Sequence, residues 1–158
     1  MDDPRISWDE YFLNIAKEIA RRATCESGKI GAVIVKNKKI ISTGYNGAPR
    51  GLPHCHDVGC LMMETTYGDG VQKKRCLRTI HSELNAIIQA AMHGVSTDGA
   101  TLYGLYKPCS QCMKAIINAG IKRVVCLNNY EDVYTDELAK VAGIELVIFN
   151  KDKMKNQE

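Results

Sequence analysis

TIHSELNA at positions 79–86 and PCSQC at positions 108–112 are the two stretches around which this sequence is organised. Each begins a segment whose apolar residues recur with helical spacing, so each predicts a helix N-terminus. The first apolar stripe contains Ile80, Leu84, Ile87, Ile88 and Ala91, and the second contains Met113, Ala115, Ile116, Ile117 and Ala119. Free backbone N–H groups and the positive end of the helix dipole favour thiolate over thiol at such a position.

The side chains of the two stretches match the ligand set of a catalytic zinc site. Such a site has three protein ligands and an open position for water, and His81, Cys109 and Cys112 supply one nitrogen and two sulfurs. Glu83 lies two residues after His81, so it can face the open position without being a ligand. A carboxylate placed there is suited to act as a general base.

Cys109 and Cys112 have two other interpretations. A lone C-x-x-C is also typical of a thioredoxin-like redox pair, or of half a structural zinc ribbon. The redox motif normally follows the first strand, whereas this one comes late in the chain, and a ribbon needs a second C-x-x-C that the sequence lacks. The joint occurrence of both stretches therefore favours a catalytic metal site.

Length and composition set further limits. A chain of 158 residues with 45% hydrophobic and 25% charged residues is typical of one globular domain, which we expect over 1–150, followed by a charged tail at 151–158. Membrane-length apolar runs are absent, and the acidic, polar N-terminus is unlike a signal peptide, so we expect a cytoplasmic protein. In that compartment seven cysteines favour metal binding over disulfides.

The remaining elements predict an α/β protein. Ser7 and Glu10 form a capping box for a helix reaching about position 23, with Trp8, Phe12, Ile15, Ile19 and Ala23 as its apolar face. A β-hairpin is predicted at 30–44, with a buried first strand and a break at 37–38. Strands are predicted at 100–105, 122–127 and 144–149, and a helix at 135–142 that ends at Gly143. The alternation implies an α/β/α sandwich with a mixed sheet.

A second metal site is predicted from the connection at 46–78, which has little periodicity. Loops this long are usually functional or cross-linked. Four of the five cysteines outside the first site, Cys25, Cys55, Cys60 and Cys76, suggest a closed, structural zinc site. His54 and His56 are alternative ligands, and ordinary buried cysteines remain the other interpretation. Cys126, within the predicted strand at 122–127, is expected in the core.

From position 7 to about 143 the sequence resembles the deoxycytidylate deaminase family of zinc-dependent deaminases, phage and bacterial type. Beside the two zinc motifs, the matching segments are SWDEYF (7–12), ATC (23–25), GAVIVK (31–36), GYNG (44–47) and INAGIKRVV (117–125). The resemblance implies a five-stranded sheet with helices on both faces. It also implies hydrolysis of dCMP to dUMP and ammonia by zinc-activated water, which supplies dUMP for dTTP synthesis.

Further expectations come from the same resemblance. Asn46 is implied as a substrate contact, and Gly44, Tyr45, Asn46 and Gly47 as an element that binds an allosteric nucleotide. Activation by dCTP with Mg²⁺, inhibition by dTTP and a homo-oligomer, commonly a hexamer, are implied as well. Cys25 and Cys55 are implied as ligands of a structural zinc. A phage-encoded member would work in the host cytoplasm.

Two positions depart from the family pattern. Ser82 stands where the family usually has Ala, and Ser27 stands where relatives often carry a basic residue.

Two alternative functions stay open. A deaminase that accepts both dCMP and dCTP is the alternative within the class, and a non-catalytic, metal-binding regulatory module is the alternative outside it.

A nucleic-acid polymer is not expected as substrate. The aromatic content is only 6%, and the basic groups at 21–22, 38–39 and 73–75 are scattered, so we interpret them as mostly solvated surface. Tyr130 and Tyr134 could frame a pocket, but ordinary packing is the favoured interpretation.

Overall fold

The computed structural model describes residues 4–66 and 70–150. In chain order, its elements are α1 (Trp8–Ala20), β1 (Gly31–Lys36), β2 (Lys39–Tyr45), α2 (Cys55–Val58), β3 (Met62–Thr66), β4 (Gln72–Cys76), α3 (Ser82–Met92), β5 (Thr101–Tyr106), α4 (Ser110–Asn118), β6 (Arg123–Asn128), α5 (Val133–Ala142) and β7 (Glu145–Ile148). The tail predicted for 151–158 lies outside the described residues.

Five strands form one mixed sheet in the order β2-β1-β5-β6-β7. β1 is antiparallel to both of its neighbours, whereas β5, β6 and β7 are parallel. Helix α1 covers one face of this sheet, and α3, α4 and α5 cover the other. The predicted three-layer α/β/α sandwich with a five-stranded mixed sheet is therefore confirmed.

Side-chain alternation along β1 divides the core into two halves. Ala32 and Ile34 face the layer of α3 and α4, while Val33 and Val35 face α1, as the period of two in a strand requires. All four side chains are buried, which confirms the predicted buried first strand. The hairpin closes through a two-residue turn at Asn37 and Lys38, whose φ angles of 52° and 60° are typical of a type I′ turn.

Two glycines allow helices to lie directly on this hairpin. A Cβ at Gly31 would come within 2.3 Å of the carbonyl oxygen of Ala16 in α1. A Cβ at Gly44 would come within 2.3 Å of the carbonyl oxygen of Ser82 in α3 and 2.4 Å of the backbone nitrogen of Ala86. These atoms are helix backbone, so neither position has room for a side chain.

The close approaches explain why the predicted helix faces were partly wrong. In α1 the buried residues are Phe12, Leu13, Ala16 and Ala20, whereas Trp8 is 49% exposed and the helix ends at Ala20 rather than near position 23. In α3 the buried residues are Ser82, Glu83, Ala86 and Ala90, not the larger residues of the predicted stripe. Small side chains face the sheet because the helix backbone lies against it.

The predicted long loop at 46–78 was also wrong. It contains the short helix α2 and a separate two-stranded antiparallel sheet, β3-β4. Apart from Cys76, the residues of both strands are exposed or only partly buried, so the segment shows no alternation of apolar and polar residues. Periodicity therefore could not reveal these strands.

An ion-pair network joins the first turn of α1 to the sheet. The Asp9 carboxylate accepts hydrogen bonds from both terminal nitrogens of Arg123 in β6, at 2.7 and 2.8 Å, and from the Tyr103 hydroxyl at 2.9 Å. Burial alone would raise the pKa of Asp9, but the bonds from Arg123 and Tyr103 hold it below its ordinary value. The helix is thus fixed at both ends, by this network and by Gly31.

The later predicted elements lie within a residue or two of the observed ones. Gly143 caps α5 with a φ of 70°, as predicted, and Cys126 is buried in β6.

None of the helices in the described ranges has both the length and the apolar character needed to cross a lipid bilayer.

The contact between β2 and α3 can be tested with glycine substitutions. Gly44→Ala is expected to lower the free energy of unfolding by about 1–3 kcal/mol, because the new methyl group meets helix backbone. The matched control is Gly104→Ala in β5, where the nearest atom outside the neighbouring residues would lie 3.5 Å from the new Cβ. Urea unfolding of the two variants measures the difference, and equal stabilities would contradict the packing described here.

Candidate active site

The chemistry-bearing residues of the two sequence stretches meet at the N-termini of α3 and α4. His81 is the N-cap of α3, Cys109 is the N-cap of α4, and Cys112 lies in the first turn of α4. Both sulfurs lie 3.5 Å from Nδ1 of His81, and the three ligand atoms lie within 4.8 Å of one another. The structure thus brings together the three residues that the sequence nominated as ligands.

The distances fit a zinc ion. With a Zn–N bond of about 2.0 Å and Zn–S bonds of about 2.3 Å, tetrahedral geometry separates nitrogen from sulfur by about 3.5 Å. This is the separation found between His81 and each cysteine. One imidazole and two thiolates form a donor set that zinc prefers, and three protein ligands leave a fourth position for water or substrate.

The three groups are coupled electrostatically. A hydrogen bond with Cys112 is the main cause that lowers the pKa of Cys109 to about 4. The same bond, together with burial, raises the pKa of Cys112, and a hydrogen bond with Cys109 raises that of His81. Cys109 is therefore a thiolate that accepts hydrogen bonds from two neighbouring groups. A metal cation bound to the same three side chains would take the place of the protons in these bonds.

Glu83 lies beside this cluster and is almost completely buried, with 6% of its surface exposed. Its Oε2 accepts a hydrogen bond from the Ser82 hydroxyl at 3.1 Å and lies 4.0 Å from Sγ of Cys112. Burial is the main cause that raises its pKa above the ordinary value. A carboxyl group with a raised pKa can both accept and return a proton near neutral pH.

Helix α5 fixes the start of α4. The carboxylate of Asp132 accepts a hydrogen bond from the Ser110 backbone N–H at 2.9 Å and one from the Thr135 backbone N–H at 3.1 Å. The fully buried Thr135 hydroxyl donates to the Pro108 carbonyl at 3.0 Å. These bonds orient the turn that carries Cys109 and Cys112.

The candidate metal site forms the floor of a cavity of about 380 Å³, a size typical of small-molecule sites. Besides the cluster residues, its walls include Ser27, Gly28, Lys29, Ile30, Asn46, Lys74, Arg75, Cys76, Thr79, Tyr106, Lys107 and Tyr130. Four of these side chains carry a positive charge, and Glu83 is the one lining carboxylate among the described residues. The cavity therefore favours an anionic ligand.

Asn46 is buried in the cavity wall and holds the opposite loop. Its Nδ2 donates to the Gly28 carbonyl at 2.7 Å, and its Oδ1 accepts from the Ile30 backbone N–H at 2.8 Å. One amide hydrogen and one lone pair have no partner in these two bonds. A direct contact with substrate, as the resemblance implies, is compatible with this arrangement.

The segment 44–47 connects the hairpin to α3. Gly44 packs on the helix backbone, the Tyr45 carbonyl accepts a hydrogen bond from Asn85 at 2.9 Å, and Gly47 pairs with Ile80 in an isolated bridge. On its outer side, Gly44 and Tyr45 line a second depression of about 400 Å³ with Asn85, Gln89 and His93, among others.

Four cysteines meet at a second cluster, as the sequence predicted. Sγ of Cys25 lies 3.8 Å from that of Cys60, and Sγ of Cys55 lies 3.6 Å from that of Cys76. Tetrahedral zinc with four sulfurs would place them about 3.8 Å apart. All four sulfurs lie within 4.8 Å of one another, and none forms a disulfide.

Hydrogen bonds in this second cluster favour the thiolate form of Cys60 and Cys76, whereas burial and hydrogen bonds with these two thiols raise the pKa of Cys55 to about 12. Burial tends to raise the pKa of Cys60, but backbone N–H groups of Ser27 and Glu26 and the neighbouring thiols lower it to about 7. Backbone groups of Arg78 and Leu61 likewise lower the pKa of Cys76. The alternative ligands His54 and His56 stack on each other with ring centroids 5.3 Å apart and are not part of the cluster.

Two interpretations made from the sequence are incomplete. Tyr130 lines the cavity rather than packing in the core, whereas Tyr134 is 53% exposed. Lys74 and Arg75 are not merely solvated, because both line the cavity. The sequence offered one signal that Arg75 belongs to the cavity, because this residue directly precedes the nominated ligand Cys76. Tyr106 and Lys107 had a similar signal, because they directly precede the PCSQC stretch.

Comparisons with known proteins agree with this geometry. The family model of the cytidine and deoxycytidylate deaminase zinc-binding region matches residues 6–128. ComE operon protein 2 of Bacillus subtilis (strain 168) is 43% identical over 159 residues, covering 98% of this chain and 79% of that protein. Deoxycytidylate deaminase of Enterobacteria phage T4 is 36% identical over 172 residues, covering 89% of this chain and 88% of that protein.

A solved structure shows the same fold. The dCMP deaminase of cyanophage S-TIM5, solved in complex with dCMP and dUMP, superposes with a TM-score of 0.74 at 28% identity, covering 94% of this chain and all of that one. On these grounds the chain belongs to the family of cytidine and deoxycytidylate deaminases.

Proposed function

We propose that this protein hydrolyses dCMP to dUMP and ammonia. The observation that carries the proposal is the position of Glu83, a buried carboxyl group that is not a ligand yet lies 4.0 Å from a sulfur of the His-Cys-Cys cluster. A purely structural metal site has no use for a titratable group in that place. A site that moves protons between water and a substrate requires one.

The chain's own residues divide the reaction between them. His81, Cys109 and Cys112 hold the metal, and a zinc ion in that place supplies Lewis-acid chemistry and lowers the pKa of water. Glu83 takes a proton from the attacking water and delivers it to N3 of the cytosine ring, which makes C4 electrophilic. The same carboxyl group then takes the remaining proton from the oxygen now bonded to C4 and transfers it to the amino group, so that the C4–N bond breaks. Oxygen replaces nitrogen at C4, and ammonia leaves.

The charge and size of the cavity support a mononucleotide as substrate. Cationic side chains line the walls above a floor that carries the reacting groups, so an anionic ligand with a neutral base is favoured. The S-TIM5 relative is solved with dCMP and dUMP bound.

We further infer that the dUMP formed serves dTTP synthesis and that the protein works in the cytoplasm, or in the host cytoplasm if it is phage-encoded.

Release of ammonia from dCMP by the metal-quantified protein tests the proposal directly. Turnover of dCTP as sole substrate would replace dCMP specificity with the dual dCMP/dCTP activity. Absence of turnover on cytosine nucleotides by zinc-loaded protein would instead favour a metal-binding regulatory module. The intact, buried Glu83 supports an enzyme over that alternative.

Regulation is proposed from the family resemblance. dCTP with Mg²⁺ would activate and dTTP would inhibit a homo-oligomer, hexamer favoured, through the segment Gly44–Tyr45–Asn46–Gly47. The second depression, which Gly44 and Tyr45 line, offers room for a ligand. Initial rates with dCMP in the presence of each nucleotide, with and without Mg²⁺, test this part separately from the reaction itself.

Replacing the proposed general base should abolish turnover without removing the metal. Glu83→Gln keeps the size of the side chain but cannot accept the proton, so kcat for dCMP is expected to fall roughly 10²- to 10⁴-fold, with zinc content unchanged. Glu137→Gln, an exposed change of the same charge in α5, is the matched control and should keep the wild-type rate. A Glu83→Gln enzyme with near-normal kcat would show that another group moves the proton.

Loss of one cysteine from the second cluster should release one metal ion and loosen the 46–78 segment. Cys60→Ser is expected to lower zinc from about two ions per chain to about one and to reduce the melting temperature, because metal binding and local folding are linked. Cys126→Ser, a buried cysteine outside both clusters, should retain both ions. Unchanged zinc content in Cys60→Ser would mean that the four sulfurs are ordinary buried thiols.

A further inference from the structure

Arg75 has the most available positive charge in the cavity. Of the four cations that line it, Lys107 donates to Asp136 at 2.8 Å, and the Lys74 ammonium lies 3.1 Å from Glu64. Within residues 4–66 and 70–150, Arg75 and Lys29 have no carboxylate within ion-pair distance. An arginine without a partner in the wall of a site suits phosphate recognition, because its planar fork matches two phosphate oxygens.

Arg75 lines the same cavity as His81 and Tyr130 and lies within electrostatic reach of both. A hydrogen bond with Cys109 raises the pKa of His81, and the positive charge of Arg75 opposes that rise. Burial raises the pKa of Tyr130, and Arg75 opposes that rise as well. Arg75, His81 and Tyr130 line one cavity of about 380 Å³, so a ligand that fills this cavity from His81 outward meets the wall to which Arg75 belongs.

The strand that carries Arg75 is anchored on both sides of it. Lys73 donates to the Glu131 carbonyl, and its ammonium lies 4.0 Å from the centre of the Tyr130 ring. Cys76, the next residue, belongs to the four-cysteine cluster. Lys74 and Arg75 both line the cavity, but the Lys74 ammonium is held by Glu64 of the neighbouring strand β3.

We infer that Arg75 is the residue that selects a nucleoside monophosphate over the nucleoside, by binding the 5′-phosphate of the substrate. The inference rests on the proposed function for the identity of that substrate. Under this inference the four-cysteine cluster has a second role beside its role in stability, because it holds the strand that carries the phosphate-binding residue. The step is binding only, so Arg75 is a specificity-determining residue and takes no part in proton transfer.

The test compares kcat/KM for dCMP and for deoxycytidine in zinc-loaded wild type, Arg75→Gln and Arg75→Lys. Loss of a charge-assisted, bidentate contact is expected to lower kcat/KM for dCMP about ten- to a hundredfold in Arg75→Gln. The value for deoxycytidine should change less than about twofold, because no phosphate is present to lose the contact. Arg75→Lys should fall between wild type and Arg75→Gln, since an ammonium keeps the charge without the fork.

Arg22→Gln is the matched control, because it removes the same charge from an exposed arginine that does not line the cavity. It should leave the ratio of the two kcat/KM values close to that of wild type. An unchanged ratio in Arg75→Gln would overturn the inference, and so would a loss confined to Lys29→Gln. An equal fall for both substrates in Arg75→Gln would also overturn it, because that pattern indicates damage to the site as a whole.

Binding of dUMP and deoxyuridine to the same variants separates this inference from the proposed function. Wild-type protein without dCMP turnover would contradict the proposed reaction alone. In that event, tighter binding of dUMP than of deoxyuridine that disappears in Arg75→Gln would still support the phosphate contact. Equal loss of affinity for both ligands, or no loss, would contradict it.

Discussion

The structure depends on the close approach of two helices to one hairpin. Gly31 and Gly44 lie at the same end of β1–β2 and face opposite sides of the sheet, where α1 and α3 place their backbones in the space a side chain would fill. This contact determines how deeply α3 enters the sandwich. His81 and Glu83 occupy the first residues at the start of that helix, so the hairpin positions half of the site before any metal is considered.

The other half of the site depends on polar bonds between neighbouring helices. The turn at Cys109 has no glycine contact of this kind, and Asp132 and Thr135 of α5 hold it instead. The four-cysteine cluster has the corresponding role for the segment 46–78, whose strands are too exposed to be stabilised by apolar burial. Packing, capping and metal-ligating side chains thus each fix one wall of a single cavity.

Much of this could be predicted from the sequence, for identifiable reasons. His81, Cys109 and Cys112 are a ligand set at helix starts, and both signals are local. The hairpin and the parallel strands could be predicted because their buried residues form continuous apolar runs. The β3-β4 sheet lacks that pattern. The helix faces were mispredicted because Ala16 and Ala86 face the sheet on account of glycines distant in sequence. Tyr130 and Arg75 became cavity residues only through contacts between separate segments, which no local pattern encodes.

The residue proposed for proton transfer is buried, whereas the residue proposed for phosphate binding is exposed. The difference in dielectric environment suits each role. Glu83 is buried, so its charge is strongly coupled to neighbouring groups and its pKa is raised, as proton transfer requires. Arg75 is exposed at the cavity wall, where water screens its charge and a single contact contributes modestly. A phosphate contact therefore gains most from a fixed geometry, which limits the entropy lost on binding. Anchoring β4 between Tyr130 and the cysteine cluster would provide that fixed geometry, so under the proposal for Arg75 the cluster contributes to substrate selection as well as to stability.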